Sequence, residues 1–158
     1  MTFSLTITTA STAETELFGV EVAKKILGDS SLPRFIALYG DLGVGKTAFV
    51  RGFTSALSPS ARVKSPTFAL VNEYKGSPLS VFHFDMYRIT DEDDLYSIGF
   101  YDYRDRDGVI LVEWSENIPY ALPEEYLSVS IEKDLDRDED SRHITVKLIT
   151  DTEDSHLC

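Results

Sequence analysis

Gly40-Asp41-Leu42-Gly43-Val44-Gly45-Lys46-Thr47 is the stretch of this sequence whose residue types and spacing do chemistry together. It fits GxxxxGK[ST] in full, and each fixed position has a physical job. The glycines let the backbone turn so that successive amides point at a phosphate, and the positive end of the following helix adds to the attraction. Lys46 is expected to reach the β- and γ-phosphates and so to serve in catalysis as well as binding. The Thr47 hydroxyl is expected to bind magnesium. Asp41, Leu42 and Val44 need only fit the loop, and Ala48, the next residue, completes the expected nucleotide-binding set. Chance produces this pattern in about 0.5% of chains this long.

A phosphate loop also needs an acid at the end of a neighbouring strand to hold the metal. Val109-Ile-Leu-Val-Glu113 meets that need, because its four apolar residues carry a carboxylate to the carboxyl edge of a buried sheet. Trp114 follows at once and is placed either beside the nucleotide or in the core. Asp85 ends the strand SVFHFD, where it can orient an attacking water or join the metal's outer shell; capping, or pairing with Arg88, is the structural alternative. His83 shares a strand face with Asp85 and is read as a satisfied core histidine. Thr67, in the SPTF loop, is either a sensor of the γ-phosphate or a turn residue after Pro66.

The elements that must position these groups follow from periodicity. Phe3, Leu5 and Ile7 alternate with polar residues, giving a strand with one wet face near a sheet edge. Ser11 and Glu14 form a possible capping box before a helix with Phe18, Val22 and Ile26 at four-residue steps, which Gly28 is placed to end. Phe35 to Tyr39 is apolar without alternation, as in a parallel strand buried on both faces. From Lys46 the pattern is helical, with Phe49, Phe53 and Leu57 four apart and Pro59 just beyond. A short strand, a turn at Gly76 to Pro78 and the strand ending at Asp85 come next. Asp91 to Asp94 suit the start of a short helix stopping near Gly99. The chain then ends in a hairpin, with Leu127, Val129 and Ile131 on one strand and Ile144, Val146 and Leu148 on the other. The expected fold is α/β: one P-loop NTPase-type domain over residues 1–150, a mixed sheet with parallel core strands and antiparallel additions. Residues 151–158 are expected to be a disordered acidic tail.

At 158 residues and 42% apolar, the chain is long enough for one such domain. Neither a membrane-spanning stretch nor a signal peptide is evident, so a soluble cytoplasmic protein is expected. The one cysteine, Cys158, is terminal and supports neither a disulfide nor a thiolate metal cluster. A formal charge of −12 disfavours extensive direct binding to nucleic acid. Much of the acid lies in Glu132 to Asp140, read as a solvated loop, and in Asp151 to Asp154.

The ordered set GDLGVGKT, SPTF, HFDMYR, Leu95-Tyr-Ser-Ile-Gly99 and VEWSE resembles the bacterial TsaE (YjeE) family. HFDxYR followed by EW is the specific part, since the phosphate loop alone is shared by many NTPases. The resemblance implies a weak, magnesium-dependent ATPase that assists threonylcarbamoyl-adenosine modification of tRNA. In that family ATP supports association with the TsaD–TsaB pair, hydrolysis helps the complex turn over, and tRNA is met only through the complex. By position it implies Lys46 and Thr47 as phosphate and magnesium ligands, Glu113 as the metal-site acid and Asp85 as the acid needed for hydrolysis. Trp114 matches the family tryptophan at the nucleotide site, and Thr67 the switch-like loop. Asp41 stands where the family often has glutamate, and Ser115 where proline often follows the tryptophan.

Three other readings use the same loop. A GTPase-like switch would employ Asp105-Arg-Asp-Gly108 as DxxG, but this precedes the VILV strand and no NKxD segment is present. A small-molecule phosphotransferase would need an arginine lid, for which Arg104 and Arg106 are available. A nucleotide-gated binding module would need no hydrolysis.

Overall fold

Side-chain alternation along one central strand sets the layering. In the computed structural model, which describes residues 3–41, 43–66 and 70–150, Ile36 and Leu38 of strand β2 (Phe35–Tyr39) project to one face and Phe35 and Ala37 to the other. Both faces are buried, so both must be covered. On the first lie helices α1 (Thr12–Gly28) and α2 (Lys46–Leu57), contributing Phe18, Val22, Phe49 and Phe53. On the second lie the short helices α3 (Glu92–Ser97) and α4 (Phe100–Tyr103), with Leu95 and Phe100 fully buried.

The sheet has seven strands: β1 (Ser4–Thr9), β2, β3 (Val71–Tyr74), β4 (Ser80–Asp85), β5 (Gly108–Glu113), β6 (Tyr126–Lys133) and β7 (Arg142–Ile149), in the order β1-β7-β6-β2-β5-β4-β3. β2 is parallel to β5 and β6, and β4 is parallel to β5; the pairs at both edges are antiparallel. This is the mixed sheet expected from sequence, with β1 on an edge and the terminal hairpin formed by β6 and β7. The parallel strands end on one side, so the residues after β2 and at the ends of β4 and β5 converge there.

Local signals agree with the packing. The Ser11 hydroxyl accepts from the Glu14 amide at 3.1 Å, one half of the expected capping box and worth about 1 kcal/mol. Asp91 caps α3 the same way. The helices α1 and α2 approach so closely that a Cβ on Gly52 would lie 1.8 Å from the Glu16 carbonyl oxygen, so only glycine fits between the backbones. Among the described residues no helix is long and apolar enough to cross a membrane. Leu42, Thr67 and residues 151–158, including Cys158, lie outside the described residues.

Candidate functional site

The loop after β2 makes its turn with Gly40, Gly43 and Gly45, at φ 146°, 79° and 108°, a region that side chains with a Cβ avoid. Gly45 is the residue before α2, and Lys46 and Thr47 open that helix. Lys46 is buried, with 5% of its surface exposed. Its Nζ donates to the Gly40 carbonyl at 2.7 Å and lies 4.1 Å from the centre of the Trp114 ring, a cation–π contact. Among the described residues it forms no ion pair, although Asp85 and Glu113 line the same cavity. A buried ammonium attended only by a carbonyl and a ring face is held ready for an anion.

The cavity is about 510 Å³ and is lined by Gly43, Gly45, Lys46, Thr47, Ser65, Asp85, Tyr87, Glu113 and Trp114. Six of these are the motif and acid positions singled out from sequence, and the topology explains their meeting. Asp85 and Glu113 end adjacent parallel strands at directly paired positions, putting two buried carboxylates side by side. Asp85 accepts from the Tyr87 amide at 2.9 Å and from the Ser65 hydroxyl at 3.3 Å. It therefore caps a turn, as the structural alternative had it, while still facing the cavity. The oxygens of Thr47, Asp85 and Glu113 are hard donors of the kind magnesium takes, and few protein ligands suit an ion that shares its shell with phosphates and water.

Trp114 departs from the strand in the left-handed region, at φ 59°. For a residue with a large side chain this costs about 1–2 kcal/mol. It ends β5 and swings the indole over Lys46 and against Tyr87, whose ring centre is 5.0 Å away. Buried Ser115 donates to the Val112 carbonyl at 2.8 Å and fixes the following 3-10 turn. Asn117 donates to the Met86 carbonyl at 2.9 Å, clamping that turn to the segment after β4.

Two features were not foreseen. His83 is fully buried, but among the described residues it is only half satisfied: Nε2 meets Glu113 Oε2 at 2.5 Å while Nδ1 has no hydrogen-bond partner. The satisfied core histidine expected from sequence is instead joined to Glu113, the acid expected from sequence to hold a metal. Arg142, at the start of β7, donates from Nε to the Val44 carbonyl at 2.7 Å. Its Nη1 donates to the carbonyls of Glu139 and, at 2.9 Å, Ser141. Backbone of the acidic hairpin loop thus holds the arginine that braces the glycine loop. Asp134, buried in the same loop, accepts from the Asp136 amide, so the expected solvated segment is partly ordered by its own side chains.

Glu116 lies within electrostatic reach of Lys46 and Asp41. Partial burial pushes its carboxyl above the usual range, the positive charge of Lys46 opposes this, and the negative charge of Asp41 adds to it. Arg104 and Arg106 are not a lid over this site. They precede β5, at the opposite end of the strand from Glu113; Arg106 pairs with Glu73 at 2.5 Å and Arg104 donates to the Ala121 carbonyl. The DxxG tetrapeptide lies at that far end too, away from the phosphate loop.

The family model for the threonylcarbamoyl adenosine biosynthesis protein TsaE matches residues 9–144. Curated relatives with the description tRNA threonylcarbamoyladenosine biosynthesis protein TsaE include those of Haemophilus influenzae, 41% identical over 61% of this chain, and Bacillus subtilis, 41% identical over 70% of it. That of Rickettsia felis is 35% identical over 84% of this chain and 75% of its own length. The matched stretch spans 61% and 66% of the Haemophilus and Bacillus proteins. The crystal structure of Bacillus subtilis YdiB superposes with a TM-score of 0.72 at 28% identity, covering 98% of this chain and 92% of that one. Family model and relatives agree, and the chain belongs to the TsaE family of threonylcarbamoyl adenosine biosynthesis proteins.

Proposed function

We propose that this chain is a magnesium-dependent, ATP-binding and weakly ATP-hydrolysing accessory protein for threonylcarbamoyl-adenosine modification of tRNA, acting in the cytoplasm by switching assembly and turnover of the TsaD–TsaB pair. One observation carries the reading: the buried Lys46 ammonium faces a cavity that also holds Thr47, Asp85 and Glu113, yet pairs with neither carboxylate. The loop amides and Lys46 would take the β- and γ-phosphates. Thr47 and Glu113 would hold magnesium, which when bound supplies charge neutralisation on the phosphate oxygens. Asp85, beside Glu113 and bonded to Ser65 of the SPTF loop, would orient the attacking water and accept its proton.

Beside Ala48, a second cavity of about 240 Å³ has Thr12, Thr15, Gly45, Arg51, Asp140 and Arg142 among its lining residues. Its lining, polar and apolar in equal measure, would suit a ribose and base. The link from Asp85 to Ser65 supports a switch in which contact with the γ-phosphate orders the SPTF loop and makes the surface that partners read. The strongly acidic chain fits a subunit that leaves the tRNA to its partners.

Trp114 is the protein's single tryptophan and touches Lys46, so titration with ATP and magnesium should change its fluorescence saturably. Mixing the chain with TsaD and TsaB should then give a complex whose formation needs ATP. No uptake of any nucleotide by folded protein supplied with magnesium would end the proposal, and assembly indifferent to ATP would end the switch.

A further inference from the structure

Resting on that proposed nucleotide and magnesium site, we infer that His83 is a positioning residue that holds the Glu113 carboxylate in its metal-binding orientation. A carboxylate only accepts, so in the 2.5 Å contact His83 Nε2 carries the hydrogen and donates it to Glu113 Oε2. The contact is diagonal across the parallel pair: His83 stands opposite Leu111, and Glu113 is two residues further along β5. Both side chains are buried, at 0% and 6% exposure, so water does not compete for the bond. Among the described residues His83 Nδ1 has no hydrogen-bond partner, so the bond to Glu113 is the polar contact the imidazole makes there. An apolar residue would fill the same core position without leaving a buried nitrogen unsatisfied.

The arrangement answers a problem created by the cavity. Glutamate has three side-chain torsions, and the cation lining the same cavity is Lys46. A loose Glu113 would turn to that ammonium, neutralising at once the phosphate ligand and the metal ligand. His83 grips the acid from one side, while the Gly40 carbonyl and the Trp114 ring grip the lysine from the other. With Oε2 engaged by the imidazole, Oε1 is the oxygen offered to magnesium. Asp85, on the same face of β4, has separate anchors in Tyr87 and Ser65, so the two carboxylates are fixed independently.

The test uses His83→Gln and His83→Asn in the full chain. A glutamine amide nitrogen reaches the place of the imidazole Nε2, whereas that of asparagine stops near Nδ1, short of Glu113. Trp114 fluorescence gives ATP affinity in excess chelator and the magnesium concentration that half-restores tight binding. His83→Asn should raise the magnesium midpoint about 10- to 100-fold, the usual loss when a ligand's outer partner goes. His83→Gln should stay within about threefold of the parent, and metal-free ATP affinity should hold within that margin in both. Placed in a Glu113→Ala background, His83→Asn should add no further change. Equal midpoints for Asn and parent, equal losses for Asn and Gln, or an undiminished effect without Glu113 would each overturn the inference. A parent protein that binds no ATP even with magnesium would instead strike the proposed function.

Discussion

Two cations in this protein lie over aromatic rings near carboxylates, at opposite ends of the same parallel strands, and they are treated in opposite ways. Arg106, before β5, lies 4.6 Å from the ring centre of Phe82 and 5.0 Å from that of Tyr103, and it engages both oxygens of Glu73 at 2.5 and 3.4 Å. Its partnership is complete, and Glu73 is held below the usual carboxylate range chiefly by that hydrogen bond. Lys46, after β2, lies over Trp114 but is kept from Glu113 and Asp85 by bonds that each of the three makes elsewhere. At the first end charges neutralise one another and tie β3 to the turn before β5. At the second they are desolvated and separated, which has a folding cost that a bound phosphate and metal ion would offset. A cation near a carboxylate is therefore not enough to mark a site; separation under burial is what distinguishes this one.

The most forceful way to break the comparison is to remove the acid assigned to catalysis while leaving its structural bond. Asp85→Asn keeps an oxygen for the Tyr87 amide but cannot accept a proton from water. Single-turnover hydrolysis in the assembled complex should fall about 10²- to 10⁴-fold, with ATP affinity and complex formation retained. Normal turnover by this variant would return Asp85 to a turn-capping role alone.

Next in size is the lysine itself. Lys46→Ala removes a charge-assisted contact worth about 1.5–3 kcal/mol, so triphosphate affinity should drop about 10- to 150-fold. Parent-like affinity by fluorescence or calorimetry would mean that the separated cation is not a phosphate ligand.

How far this site was legible depends on how local each signal is. The glycine loop is contiguous, and Glu113 closes an uninterrupted apolar run, so both stand out before any fold is known. The mixed sheet also followed, with its parallel core, wet first strand near an edge and terminal hairpin, because buried parallel strands and wet edge strands differ in their alternation; the strand order did not. The bond from His83 to Glu113 did not, since it depends on the register of β4 against β5, and register is fixed by packing, not by either segment's own pattern. Arg142 bonds to Val44 across 98 positions of sequence, a proximity that exists only because β6 and β7 are laid beside β2. The left-handed Trp114 had no signal at all, as glycine or asparagine is the usual residue in that conformation. Motif residues were readable, and the residues that hold them in place were not.

Smaller still should be the effect of dismantling the paired end. Arg106→Ala removes both the Glu73 bond and the coverage of Phe82 and Tyr103. Because the pair is about half exposed, a modest drop in melting temperature is expected. Nucleotide affinity should stay within about twofold, since the two ends share no partners. A loss of binding comparable to that of Lys46→Ala would mean the ends are coupled through the sheet, and the contrast between them would fail.

The finest test is one of sign. Glu73 has its carboxyl lowered from the usual 4.5 by Arg106, so its folded form prefers the ionised state. Its contribution to stability is present above 4.5 and is lost as pH falls through the lowered value. Glu116, within reach of the Lys46 charge at the separated end, is raised from the same 4.5 chiefly by desolvation, so its folded form prefers the proton. Its contribution is fullest below 4.5 and is lost as pH rises through the raised value. Melting temperatures of the parent, Glu73→Gln and Glu116→Gln, measured from about pH 3 to about pH 7, turn this into two differences. The parent's margin over Glu73→Gln should grow with pH, while its margin over Glu116→Gln should shrink and can reverse. Margins that move together would show that both glutamates experience the protein's overall negative charge rather than their own surroundings, removing the electrostatic distinction between the two ends.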